Sequence, residues 1–377
     1  MLKTMLFDVD GVLLSEERYF DASALTVWEL INSPNYLGLM PEIFTPEPTE
    51  DQIKRIRTEV FDHDHVLHFI KSRGINANWD MVYLAFSYQL ILLLEKLKAK
   101  HKDFIKNFLE KNLSREDLNS LGQLAKQSQI HFEPDFASFN QDFKKGNAKK
   151  QELMTYMNQI SEEKIGLKTS QFSRNSSLWT ICEKAFQEWY LGDEKFIEDE
   201  DTRPVQTGKQ GFLSNEIPIV EPSKLQKLFQ ALKSRGVKLG IGTGRPTIET
   251  IDPLASLGIL DYFNRDSIST ASDILTAEQK YPERSPLAKP QPYTYISALL
   301  GKKCSEPEVL DYPLPIQNGH EILVVGDSVA DFYAAQSLGC QFAAVLTGLS
   351  GQDARSEFEE LNADYILNDV MALLDIL

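Results

Sequence analysis

The chain opens on a short, mainly apolar run over 2–9 that ends in Asp8-Val9-Asp10-Gly11, the pattern of a buried strand running into a turn. Past residue 16 the apolar positions change to helical spacing. Helices are predicted over 53–61, 81–100, 104–111, 115–127, 151–160 and 178–191. The stretch 132–146 is aromatic-rich but holds Pro134 and no clean period, so it is expected to be irregular. A charged and then polar segment, 198–211, reads as a linker or exposed loop.

From residue 222 the pattern alternates. A helix over 222–235 leads to a strand over 237–242, then a helix over 247–257 that stops at Gly258. A short strand lies at Ile268, a helix over 291–300 stops at Gly301, and a strand occupies 321–326. A helix over 329–338, a strand over 342–346 and a last strand and helix at 364–366 and 370–377 complete the chain. Alternating helices and apolar strands imply an α/β architecture, a doubly wound parallel sheet covered on both faces. With 377 residues, two domains are expected: a core of 1–15 and 216–377, and a mostly helical domain over 16–215 inserted after the first strand.

In parallel sheets of this kind ligands bind beyond the carboxyl ends of the strands. Asp8, Thr243 and Asp327 each fall just past such an end. Asp8 and Asp10, two apart on extended backbone, can face one pocket. One carboxylate suits a nucleophile on phosphorus and the other an acid and then a base, although acidic turns of this form are common. In Ile241-Gly242-Thr243-Gly244-Arg245, a hydroxyl and exposed N–H groups suit a phosphate oxygen; a plain turn with Thr243 as helix cap is the competing reading. In Lys289-Pro290-Gln291-Pro292, Pro290 keeps Lys289 out of a helix and near a helix start, where its ammonium could meet phosphate or simply solvent. In Gly326-Asp327-Ser328-Val329-Ala330-Asp331, two carboxylates one turn apart suit Mg²⁺, or else Asp327 caps the helix.

Taken in order, 7–13, 241–245, 289–293 and 324–331 resemble the motifs of the haloacid dehalogenase-like superfamily, in its phosphoglycolate phosphatase and β-phosphoglucomutase branch. The resemblance covers about 1–15 and 216–377. It implies Asp8 as nucleophile, Asp10 as general acid/base, and Thr243, Gly244 and Lys289 as phosphate ligands. It also implies Mg²⁺ held by the Asp8 side chain, the Asp10 carbonyl and Asp327, with Asp331 supporting the metal or Lys289. Arg245 stands between a substrate contact and a surface ion pair. Members of this branch carry a substrate-selecting cap after the first motif, and the segment 16–215 is larger than the compact helical bundles usual there. The expected activity is Mg²⁺-dependent hydrolysis of a small phosphorylated metabolite. A phosphomutase, a carbon–halogen hydrolase and a binding protein on a retired core are the rivals.

Composition narrows the partners. A formal net charge of −16 repels nucleic acid and anionic membrane, so neither is expected as a partner. Three dispersed cysteines and no signal-peptide pattern point to a cytoplasmic protein. The apolar run 81–94 is too short to span a bilayer and reads as a buried helix. Asp62-His63-Asp64-His65 with His68 is read as a solvated helix face rather than a metal site, and Phe132, Phe136, Phe139 and Phe143 as domain core.

Overall fold

The computed structural model describes residues 2–75, 77–149 and 152–376. The chain divides into two compact units, Met1–Glu17 with Leu213–Leu377, and Arg18–Phe212.

The first unit is built on six parallel strands: β1 (Thr4–Phe7), β2 (Lys238–Gly242), β3 (Ile268–Ser269), β4 (Ile322–Gly326), β5 (Gln341–Val345) and β6 (Tyr365–Leu367). Their order is β3-β2-β1-β4-β5-β6. The chain therefore runs outward from β1 in one direction and crosses back to continue from β4 in the other. That reversal beside β1 is the switch point where such sheets leave a crevice.

The period of two along the strands sorts side chains into two cores. Met5, Phe7, Leu239, Ile241, Leu323 and Val325 enter one face, packed against helix Pro222–Ser234 and helix Thr247–Ser256. Leu6, Ile322, Val324, Phe342 and Ala344 enter the other, against helices Tyr293–Leu300 and Val329–Leu338. This is the doubly wound α/β sheet expected. Sequence patterning overlooks helices Ala271–Lys280 and Arg355–Glu360, which bury few apolar residues and so carry little periodic signal. The last helix is a 3₁₀ segment, Val370–Asp375.

The chain leaves and re-enters this unit through adjacent segments. Ser15 N–H donates to Ile217 O at 2.8 Å and Ile219 N–H to Leu13 O at 3.0 Å, with Leu14 and Pro218 forming an antiparallel bridge.

The second unit, Arg18–Phe212, is helical. Helix Asn78–Leu97 is buried along nearly its whole length, and no helix among the described residues is long and apolar enough to cross a membrane. Phe132, Phe136, Phe139 and Phe143 are all buried, Phe139 and Phe143 stacking at 4.3 Å. The region expected to be irregular contains helix Ala137–Phe143, whose two Phe one turn apart are its only apolar positions besides Ala137. The segment 198–211 is helical to Glu200, the end of Ser177–Glu200, which breaks at Gly192 where the backbone turns to positive φ.

Asp62, His63 and Asp64 do not lie on a helix face. All three adopt positive φ in a tight turn between helices Glu50–Val60 and His65–Ser72, with Asp64 paired to Arg57 at 3.0 Å. The three cysteines are free.

At the heart of this unit Lys209 pairs with both Glu29 and Glu188 at 2.7 Å, and Trp189 Nε1 donates to Glu29 at 2.7 Å. Burial pushes the Glu29 carboxyl up to about 7, against the opposing pull of Lys209, with Glu188 adding to the rise. Because the folded value lies above the ordinary 4.5, the contribution of Glu29 to stability is full below about pH 4.5 and is lost as pH rises through about 7. Glu29→Gln is expected to flatten the fall of the urea midpoint across that window. A midpoint whose slope is the same with and without Glu29 would contradict this.

Candidate active site

Strand register brings the site together. Phe7 is paired with Ile241 on one side and Val325 on the other, so the residues just beyond the three strand ends, Asp8, Thr243 and Asp327, gather at one edge of the sheet. Asp8 N–H extends the ladder to Val325 O at 2.9 Å, and Thr243 N–H extends β2 to Ser269 O at 3.0 Å.

Lys289 is not a solvent lysine. It reaches inward from the loop before Tyr293–Leu300, its ammonium 3.0 Å from Asp8 Oδ1 and 2.7 Å from Asp331 Oδ1. Asp331, in the first turn of Val329–Leu338, is fully buried and also accepts from Tyr295 Oη at 2.7 Å and Ser328 Oγ at 2.6 Å. The Lys289 ammonium lies 4.9 Å from the centre of the Tyr295 ring. Tyr295 carries no sequence signal, being one aromatic among several in an apolar helix.

The competing helix-cap readings do not hold. Helix Val329–Leu338 is capped by Ser328, whose side chain accepts from Asp331 N–H, which leaves the Asp327 carboxylate free of that duty. Helix Thr247–Ser256 begins after Pro246, so Thr243 is not its cap either. Thr243 is fully buried, its hydroxyl oxygen accepting from Arg245 N–H at 3.2 Å, whereas Gly244 is exposed with open space where a Cβ would stand.

The electrostatics are those of a crowded anionic pocket. Asp8, Asp327 and Asp331 each offer an oxygen within 4.8 Å of the others, the one group of this kind among the described residues. Burial pushes Asp8 up to about 7, Lys289 opposing this and Asp331 and Asp10 adding to it. Burial and then Asp331 and Asp8 drive Asp327 well above the carboxylate range. Burial also works against the charged form of Asp331, but Lys289, Ser328 and Tyr295 outweigh it and hold that carboxyl low. Burial alone would lower Lys289; Asp331 and Asp8 reverse this and raise it.

Asp8 and Asp331 thus share one ammonium, and no ion pair or hydrogen bond reaches the neighbouring Asp327 among the described residues. An oxygen-only donor set of this charge fits a hard divalent cation. Two glycines keep the space open. A Cβ at Gly11, whose φ is +67°, or at Gly348 would run into Asp327 Oδ2. Thr347, just past β5, ties its hydroxyl to Gly11 O. Neither Thr347 nor Gly348 stands out in the sequence, although their position after a strand end is the available clue.

Arg245 is buried, 1% exposed, so its ion pair is internal and not at the surface. Its Nε and Nη2 both meet Asp10 Oδ1, at 2.7 and 2.6 Å, and its Nη1 meets Glu216 Oε1 at 2.7 Å. Glu216, in the segment that returns to this unit, reads from sequence only as a domain boundary.

Comparison with known proteins identifies the family. The family model described as haloacid dehalogenase-like hydrolase matches residues 2–339. A crystal structure solved as a Northeast Structural Genomics Consortium target is 36% identical, covering 100% of this chain and 98% of its own, with a TM-score of 0.88. Phosphoglycolate phosphatase of Haemophilus influenzae (strain 86-028NP) is 29% identical over 153 residues, 41% of this chain. That match spans only 55% of the phosphatase's length. A predicted phosphoglycolate phosphatase from Haemophilus somnus 129pt matches distantly, covering 100% of this chain and 97% of its own at 15% identity and a TM-score of 0.41. With its four motifs gathered at one sheet edge and a family model matching most of its length, the chain belongs to the haloacid dehalogenase-like hydrolases.

Proposed function

We propose that this hydrolase is a Mg²⁺-dependent phosphatase acting on a small phosphate monoester through an aspartyl-phosphate on Asp8. The observation that carries the reading is the charge balance around Asp8: three carboxylates, Asp8, Asp327 and Asp331, against the single ammonium of Lys289.

In the first step an oxygen of Asp8 bonds to phosphorus while the bond to the leaving oxygen breaks and Asp10 gives that oxygen its proton. In the second, Asp10 takes a proton from water as the water oxygen bonds to phosphorus and the Asp8–phosphorus bond breaks. Lys289 balances the nucleophile and the incoming phosphate together, and Thr243 with the open backbone at Gly244 binds phosphate oxygens. Asp8, Asp327 and the Asp10 carbonyl would hold the Mg²⁺. Such an ion neutralises phosphate charge so that an anionic nucleophile can approach. Asp331, saturated by Lys289, Tyr295 and Ser328, serves the lysine more than the metal. The unit Arg18–Phe212 is read as the cap that selects the substrate, and the family likeness supports a small phosphorylated metabolite handled inside the cell.

The test is phosphate release from a panel of phosphorylated metabolites with Mg²⁺. Release is expected for at least one, abolished by chelator and restored by Mg²⁺. No release from any member, or release indifferent to chelator, would overturn the reading. Return of the phosphoryl group to the substrate would instead identify a mutase.

A further inference from the structure

We propose that Arg245 is a positioning residue that aims Asp10, with Glu216 as the brace that fixes the guanidinium. The inference rests on Asp10 acting as the acid/base and adds a residue to that machinery.

Asp10 lies beyond the strand, next to the turn at Gly11, with its side chain 26% exposed. Nothing in the ladder of the sheet fixes its carboxylate. Arg245 is the side chain that does so among the described residues, and it does so through one oxygen: Nε and Nη2 converge on Oδ1. Oδ2 is left for proton transfer.

The guanidinium is itself held on its Nη1 side as well. Nη1 donates to Glu216 Oε1 at 2.7 Å and to Glu249 O at 3.3 Å, and both side chains, Arg245 and Glu216, are almost fully buried. The backbone is tied as well. Arg245 N–H donates to Thr243 Oγ1, and Arg245 O accepts from Ala271 N–H at 2.9 Å. A single strand end therefore sets both Thr243 and, through Arg245, the carboxylate of Asp10.

Chemistry explains why this residue is an arginine. A planar fork can hold two carboxylates along fixed directions, whereas an ammonium is a point charge on a flexible stem. One guanidinium shared between Asp10 and Glu216 is also not a dedicated counter-ion for either. Its contribution is direction, and proton transfer needs heavy atoms about 2.6–3.2 Å apart.

The test compares kcat/KM for phenyl phosphate, whose leaving group needs a proton, with that for 2,4-dinitrophenyl phosphate, whose leaving group does not. This ratio reports phosphoryl transfer to Asp8 and is blind to the later hydrolysis. Arg245→Lys keeps the charge and loses the fork. It is expected to lower kcat/KM for phenyl phosphate about 10²-fold and for the dinitrophenyl ester less than about fivefold. Equal losses on both esters would overturn the proposal, because a general structural defect does not distinguish leaving groups. If Arg245→Lys does not fold, the double change Arg245→Gln/Glu216→Gln removes the guanidinium together with the buried carboxylate it neutralises, with the same expectation. Asp10→Asn is the reference. Should it too lose both esters equally, the role of Asp10 itself falls; should it discriminate while Arg245→Lys does not, only the role of Arg245 falls.

Discussion

Asp8→Asn is expected to abolish phosphatase turnover, by on the order of 10⁴-fold or more, while leaving the metal-free protein at least as stable as before. The loss follows from the chemistry, since an amide of the same shape cannot form the acyl phosphate. The stability follows from the surroundings. Asp8 is buried, its charged form is disfavoured, and two further carboxylates stand within 4.8 Å of it with a single ammonium between them. Removing one negative charge relieves that crowding. The amide oxygen of the variant can still accept from the Lys289 ammonium and from Val9 N–H, which in the parent donates to Asp8 Oδ1 at 2.7 Å. The measurement is paired: turnover of the best substrate from the panel with Mg²⁺, and a thermal melt at pH 8 in chelator. Full turnover would remove Asp8 from the nucleophile's role. A melt far below that of the parent would show that Asp8 is held for folding instead.

The opposite change of charge is expected to hurt both properties. Lys289→Met keeps a long apolar stem but leaves Asp8, Asp327 and Asp331 with no cation, and breaking a buried pair of this kind costs about 3–5 kcal/mol. Turnover is expected to fall about 10³-fold through the lost balance of charge on nucleophile and phosphate. The melting temperature in chelator should drop, and Mg²⁺ should raise it by more in the variant than in the parent, because the ion then supplies the only positive charge in the pocket. Equal Mg²⁺ shifts in the two proteins would mean that the ion and the lysine do not share these carboxylates.

Much of this site is legible without coordinates. Residues at strand ends announce themselves, because an apolar run that stops at a polar residue marks both the strand and the edge where ligands gather. Asp8, Thr243 and Asp327 are found that way, and the pairing of β1 with β2 and β4 brings them side by side. Lys289 and Asp331 are visible as residue types, but whether the lysine faces solvent depends on tertiary packing that no local pattern encodes. Tyr295 and Glu216 are invisible for the same reason: each acts through a partner far away in sequence, Asp331 and Arg245. Arg245 draws notice in the sequence but stands between two readings, neither of which includes an internal pair with Asp10 across 235 positions of sequence. In the helical unit, the turn at Asp62–Asp64 escapes because positive φ at non-glycine residues is set by the packing of the flanking helices and not by composition.

The short antiparallel contact between 13–15 and 217–219 has a consequence for how such a protein can change over time. To the sheet, the whole of 18–212 is one loop whose two ends are already clamped a hydrogen bond apart. The entropy of closing a loop grows only with the logarithm of its length, so beyond a modest size extra residues there scarcely weigh on the core. An insertion at this place can lengthen, shrink or be exchanged wholesale while Asp8, Thr243, Lys289 and Asp327 keep their positions. On the proposed reading, in which the inserted unit selects the substrate, the reaction and its choice of substrate can then evolve at separate rates.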